Sequence, residues 1–161
     1  MNQNKQVTME RTFDAALSDV WELWTTKDGI ESWWGPEGFR VEVRTIDLRP
    51  GGTLVYMMIA EAPQMVAFMK QAGMPVATEN TIRYREVVPN ARLVYEHSTD
   101  FIKDVAPYDV THTIELFPQG NSVRMVLTFD AMHADEWTRR ATMGWEQELG
   151  KLGKALSARR A

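Results

Sequence analysis

The stretch Ala134–Ser157, ADEWTRRATMGWEQELGKLGKALS, decides how this chain folds. Trp137, Ala141, Trp145, Leu149, Leu152 and Leu156 recur in it at steps of three and four, the spacing that gathers side chains on one stripe of an α-helix. Asp135 and Glu136 fall in the first turn, and Lys151, Lys154, Arg159 and Arg160 near the end, where each sign complements the helix dipole. At roughly 1.5 Å per residue such a helix runs ~36 Å, enough to cross an entire sheet. A stripe that long needs an equally long apolar surface to cover it.

The segments upstream supply that surface. Gln6–Phe13, with Val7 and Met9 between polar neighbours, has the period of a strand. A short helix is predicted over Ala16–Thr25, with Ser18 or Asp14 as its cap, and a second over Lys27–Trp34, stopped by Gly35-Pro36. Strands Phe39–Asp47 and Thr53–Ile59 are joined by Arg49-Pro50-Gly51-Gly52, where proline presets φ and glycine permits positive φ. Thr81–Val88 and Arg92–Ser98 flank Pro89-Asn90-Ala91, and Asp109–Leu116 and Ser122–Asp130 flank Pro118-Gln119-Gly120-Asn121. Hairpin connections make the sheet antiparallel. An antiparallel sheet with one apolar face must hide it, and the terminal helix is the element long enough to do so. The fold class read from the pattern is therefore α+β, one domain over residues 1–161, with two short helices after strand one and a curved sheet of six or seven strands around the last helix.

Composition removes several classes of function. The chain has 161 residues, 44% hydrophobic and 25% charged, close to an ordinary globular domain. With no cysteine it has neither disulfides nor thiolate chemistry, which fits a reducing, cytoplasmic setting. The polar start MNQNKQ lacks the apolar core of a secretory signal, and Leu54–Ala60, the longest apolar run, is far short of the roughly 20 residues that span a bilayer. A net charge of −4 with no clustered basic footprint argues against nucleic acid. Neither phosphate-binding glycine motif occurs, nor H-E-x-x-H, nor a G-x-S-x-G elbow. No cofactor, no metal and no membrane partner is expected.

The runs FDAALSDVWELWT, WWGPEGF, DLRPGG, REVVPNARLVYE and MGWEQELGKL, in this order and spacing, resemble the activator-of-heat-shock-protein-ATPase homologues. These belong to the START-like (SRPBCC, helix-grip) superfamily, with the birch pollen allergen and polyketide cyclases. The resemblance covers nearly the whole chain and implies a helix-grip fold whose cavity, between sheet and last helix, holds apolar ligands. Against the family pattern, residues 60–78 read as an inserted helix. Pro63 suits its first turn, Gly73 the position past its end, and Met65, Phe68, Met69 and Ala72 form an apolar stripe. Met57, Met58, Met65, Met69 and Met74 are five of the ten methionines, adaptable side chains suited to a cover that either moves as a lid or fills space as a static plug. The resemblance places this segment and the loop Asp100–Tyr108 at the cavity mouth.

Strand parity marks His97 with Leu93 and Tyr95, and His112 with Val110, Ile114 and Leu116, as polar residues on apolar faces; Glu86 shares the parity of Ile82 and Tyr84. Two imidazoles there could orient a guest or transfer protons, while a buried histidine satisfied by tyrosine or a backbone carbonyl would look the same. Of the adjacent Trp33 and Trp34, only one is expected in the core, the other lining the cavity or standing exposed. The residues predicted to meet a ligand are Trp34, Met57, Ile59, Met65, Phe68, Met69, Tyr84, Tyr95, His97, Phe101, Tyr108, His112, Met125, Trp137 and Trp145. Three readings follow: a monomeric or homodimeric binder of a small hydrophobic or aromatic molecule, a module that stimulates a heat-shock chaperone's ATPase, and a cyclase- or hydrolase-like enzyme on a hydrophobic substrate using His97 or His112. No catalytic signature favours the last.

Overall fold

Hairpin signals dominate the middle of the chain, and the computed structural model, which describes residues 5–100 and 102–160, turns each into an antiparallel pair. The elements are β1 (Gln6–Phe13), α1 (Leu17–Thr25), α2 (Lys27–Glu31), β2 (Phe39–Ile46), β3 (Thr53–Ala60), α3 (Pro63–Gln71), β4 (Ala77–Val88), β5 (Arg92–Thr99), β6 (Tyr108–Gln119), β7 (Ser122–Asp130) and α4 (Asp135–Arg160). The strands form one seven-stranded sheet in the order β1-β7-β6-β5-β4-β3-β2, so the first strand joins the last and β2 forms the opposite edge.

Alternation sorts the sheet into two faces. Leu54 and Tyr56 of β3, Ile82 and Tyr84 of β4, Leu93 and Tyr95 of β5, His112 and Ile114 of β6 and Met125, Leu127 and Phe129 of β7 are buried together with Leu149, Leu152 and Leu156 of α4. All but His112 belong to one hydrophobic cluster, the grip of sheet on helix that the terminal stripe requires. At 26 residues α4 is ~39 Å long.

Local chemistry fixes the connections and moves several expected boundaries. In the β2–β3 turn, Gly51 has φ +87°, and a Cβ on Gly52 would lie 2.1 Å from the Asp47 carbonyl oxygen, so only glycine closes the turn. The β6–β7 hairpin is tighter than expected: Pro118 and Gln119 pair with Val123 and Ser122, leaving Gly120 (φ +62°) and Asn121 as a two-residue turn. Neither Asp14 nor Ser18 caps α1; Ala16 holds that position without a side-chain bond, and Asp14 instead accepts from Ser122 Oγ at 3.0 Å. Helix α2 ends at Glu31, three residues short of the expected Trp34, and Thr26 caps it by accepting from Gly29 N–H at 3.0 Å. Glu31 then covers the sheet edge, its Oε2 accepting the Val43 N–H at 2.7 Å beside a bulge in β2.

Candidate functional site

Helix α1, the turn after α2, four strands and α4 each send aromatic rings into one layer. Trp24 comes from α1, and Trp33 and Trp34 from the turn after α2. Both adjacent indoles are buried, at 0% and 6% exposure, where only one was expected. The chain leaves the helix at Ser32 and reverses through Gly35 at φ +93°, so the rings diverge edge to face, 5.9 Å apart. Trp33 is satisfied through Nε1, which donates to the Leu23 carbonyl at 2.7 Å. Trp34 continues the layer to Tyr56 (5.3 Å between ring centroids) and Tyr95 (6.2 Å). Tyr95 stacks on His112 at 4.8 Å, and His112 neighbours Phe129 and Trp145, each at 5.7 Å. Trp145 stacks back on Trp24 at 5.9 Å, and Trp24 lies 6.3 Å from Trp34.

Four polar atoms of this region are buried without a protein partner: Trp24 Nε1, Trp34 Nε1, Tyr84 Oη and His112 Nδ1. Buried polar groups are nearly always paired, and one left unmade costs roughly 1–3 kcal/mol. Burial, reinforced by the nearby His97, pushes the His112 imidazole down to about 3 against the weaker opposing pull of the Val110 backbone, so the ring is neutral near pH 7. Burial likewise lowers His97, in part offset by Asp100 and Asp109. Burial holds the Tyr84 hydroxyl above the ordinary phenol range, and burial with Glu148 nearby does the same for Tyr56. This is a set of neutral donors and acceptors on an aromatic surface.

One turn of α4 frames the rim. Gly35 N–H donates to Glu148 Oε1 at 3.2 Å, and Lys151 Nζ donates to the Gly35 carbonyl at 2.8 Å, so α4 grips both sides of one residue. Gln147 Oε1 accepts from Glu37 N–H at 3.1 Å. Crowding by protein raises the Glu148 carboxyl to about 7 despite the Gly35 bond and the Lys151 charge, and the same desolvation lowers Lys151. The loop in turn holds the insertion: Gly38 O accepts from Glu61 and Ala62 N–H at 2.8 and 3.1 Å, and Met65 packs on Gly38. Beside this junction lies a cleft of 650 Å³ lined by Trp34, Phe39, Pro63 and Lys151 among others.

Of the residues predicted to meet a ligand, Trp34, Tyr84, Tyr95, His112, Met125 and Trp145 stand in or against this layer. His97 pairs with Ile82 and Val110 on the same face. Met57 and Ile59 do not: Tyr56 and Met58 take the inward parity, which leaves their neighbours on the outer face, opposite Glu42 and Glu79 for Met57 and Arg40 and Ala77 for Ile59. The insertion forms the expected helix, with Met69 buried and Met65 on the loop, but Phe68 is 60% exposed. Tyr108 and Trp137 sit half-buried beside His133, whose Nδ1 is 2.8 Å from the Tyr108 hydroxyl and whose ring is 6.4 Å from Trp137. Phe101 lies outside the described residues. Glu86 leaves the inner face because the strand bulges between Tyr84 and Glu86, and it accepts from Arg92 Nε at 3.0 Å. Arg159, in the last turn of α4, bonds Asp19 and Glu22 of α1, both at 3.0 Å, and the Arg160 side chain lies outside the described residues. Tyr56 and Glu148 went unread, and Lys151 was read only as a cation complementing the end of its helix. The signal was present in their spacing, since Glu148 stands three after Trp145 and four before Leu152, on the buried stripe itself.

Among the described residues no group of three or more His, Asp or Glu side chains is placed to hold a metal, and no helix is long and apolar enough to cross a membrane. No curated protein matches the sequence. Solved structures share the fold: a Chromobacterium violaceum protein at 23% identity (94% of this chain and 96% of that one, TM-score 0.75), an AHSA1 protein of Silicibacter pomeroyi at 20% (96% and 99%, TM-score 0.74), and an Arthrobacter aurescens protein at 20% (95% and 86%, TM-score 0.74). The sequence matches the family described as Activator of Hsp90 ATPase homolog 1-like protein over residues 14–157, and with the helix-grip architecture already in place the chain belongs to that family.

Proposed function

We propose that this chain binds a small apolar or aromatic molecule between the sheet and α4. The observation that carries the reading is the set of four partnerless polar atoms on Trp24, Trp34, Tyr84 and His112, gathered in one buried aromatic layer. A core built for stability alone pairs such groups or replaces them by hydrocarbon. A guest with an apolar body and a few polar atoms satisfies them on binding. The cleft beside Trp34 is the approach in this reading, with Ala62 and Pro63 at the start of α3 on its wall and the segment tied to the 35–39 loop through Gly38. The histidines serve as hydrogen-bonding groups rather than proton-transfer groups in this reading, because a His112 that gains a proton only near pH 3 is a weak general base in neutral solution. Melting the protein against a panel of apolar and aromatic compounds tests it: binders raise Tm by several degrees and quench tryptophan emission. A panel without a single stabilising compound would remove the reading.

A second reading rests on a different surface. Phe68 within α3 and Met74 three residues past its end expose 60% and 50% of their area, an apolar offering consistent with the family's chaperone association. In this reading the chain stimulates a heat-shock ATPase through α3. Phe68→Ser then abolishes stimulation of the chaperone's turnover, and an unstimulated rate with the unmodified protein dismisses the idea.

A further inference from the structure

The rings of Trp24, Trp34, Tyr95, His112 and Trp145 close on themselves. Successive centroid distances run 6.3, 6.2, 4.8, 5.7 and 5.9 Å, the last returning from Trp145 to Trp24. Five rings from α1, the turn after α2, β5, β6 and α4 thus form a circuit. Three of the four partnerless polar atoms, Trp24 Nε1, Trp34 Nε1 and His112 Nδ1, belong to this circuit, on residues that are 1%, 6% and 9% exposed.

The chemistry of these atoms selects what can satisfy them. An indole N–H only donates, so two of the three require an acceptor, and the neutral imidazole nitrogen can donate as well, according to its tautomer. Charge is the second filter. No lysine or arginine belongs to the circuit, and the cation nearest the rim, Lys151, is committed to the Gly35 carbonyl at 2.8 Å. An anionic oxygen there would be buried without a counter-charge, at a cost far above that of a neutral one. Aromatic walls supply the rest of the contact for a flat apolar body.

We propose that this five-ring circuit is the polar subsite of the binding protein, reading one uncharged carbonyl oxygen on an otherwise apolar or aromatic guest through the indole N–H groups of Trp24 and Trp34 and the imidazole of His112. The assignment rests on the binding function proposed above and adds the substrate class: neutral aryl ketones and related carbonyl compounds rather than hydrocarbons or carboxylic acids.

Acetophenone, ethylbenzene and benzoate share a ring and differ in the group that would enter the circuit. Titration of each into the full chain, with the indole N–H resonances followed by nitrogen-proton correlation spectra, separates the possibilities. Acetophenone is expected to bind about tenfold more tightly than ethylbenzene, the worth of one well-made neutral hydrogen bond, and benzoate no better than ethylbenzene. The Trp24 and Trp34 indole protons shift downfield with acetophenone only. Trp34→Phe, which removes the indole N–H and part of the ring, weakens acetophenone more than ethylbenzene and so narrows the ratio of the two affinities; an unchanged ratio would overturn the role of the Trp34 N–H. Equal binding of acetophenone and ethylbenzene would overturn the carbonyl assignment while sustaining the binding function, and absence of binding by either would overturn both. A water held by the three nitrogens and retained when acetophenone binds would also overturn it. The spectra of the unmodified chain decide the matter even where a variant fails to fold.

Discussion

The two halves of α4 are built from the same helix and lie against the same sheet, yet they differ in what they leave unfinished. Leu149, Leu152 and Leu156 in the second half are 0–3% exposed and wholly aliphatic. In the first half Ala141 and Trp145 face the core, both partly exposed, and Trp145 lies against Trp24 and His112, whose Nε1 and Nδ1 have no protein partner. The leucine half is fully packed, while the tryptophan half adjoins unpaired polar atoms, an arrangement that costs stability. One helix thus passes from unsatisfied to fully packed surroundings along its length.

The largest expected effect tests that division directly. Leu152→Ala removes a fully buried side chain and should cost about 2–5 kcal/mol in denaturant unfolding, with any ligand affinity retained in the folded fraction. A cost below about 1 kcal/mol would mean that the leucine half is not the anchor. An intermediate effect comes from pH. His112 titrates near 3 in the folded chain and near 6.5 when unfolded, so between these values the unfolded state binds the extra proton. The stability due to neutral His112 is therefore complete above pH 6.5 and is lost as pH falls toward 3. Glu148, raised from 4.5 to about 7, works the other way: its contribution is complete below pH 4.5 and is lost as pH rises through 7. His112→Phe should leave stability at pH 7 within about 1.5 kcal/mol and flatten the acid limb. An acid limb of unchanged steepness in urea titrations would place the proton elsewhere. The smallest effect is at α3, where Phe68→Ser should change stability by less than about 0.5 kcal/mol, since 60% of that side chain already meets solvent. A larger loss would show α3 to be part of the anchor rather than a cover.

The leucine half was legible in the sequence because periodicity reports burial, and Leu149, Leu152 and Leu156 obey it without exception. Hairpins announced by Pro50-Gly51-Gly52 and Pro89-Asn90-Ala91 were equally plain, as Asn90 at φ +62° shows. The site was harder. Parity fails wherever a strand bulges, which is how Glu86 changed faces, and an all-apolar strand such as β3 has no alternation to read, so Met57 and Ile59 could not be told from Tyr56 and Met58. Charged residues on a buried stripe are easily passed over: Glu148 was, and Lys151 was read only as a complement to the helix dipole. Their partners are main-chain atoms of Gly35, and a side chain's bond to distant backbone leaves no pattern along the chain.

That double hold on Gly35 bears on which parts of the neighbouring loop are free to vary. Because Glu148 and Lys151 recognise main-chain groups of Gly35, the side chains of Pro36, Glu37 and Phe39 are released from the duty of anchoring their own loop. The loop can be repainted without moving its frame.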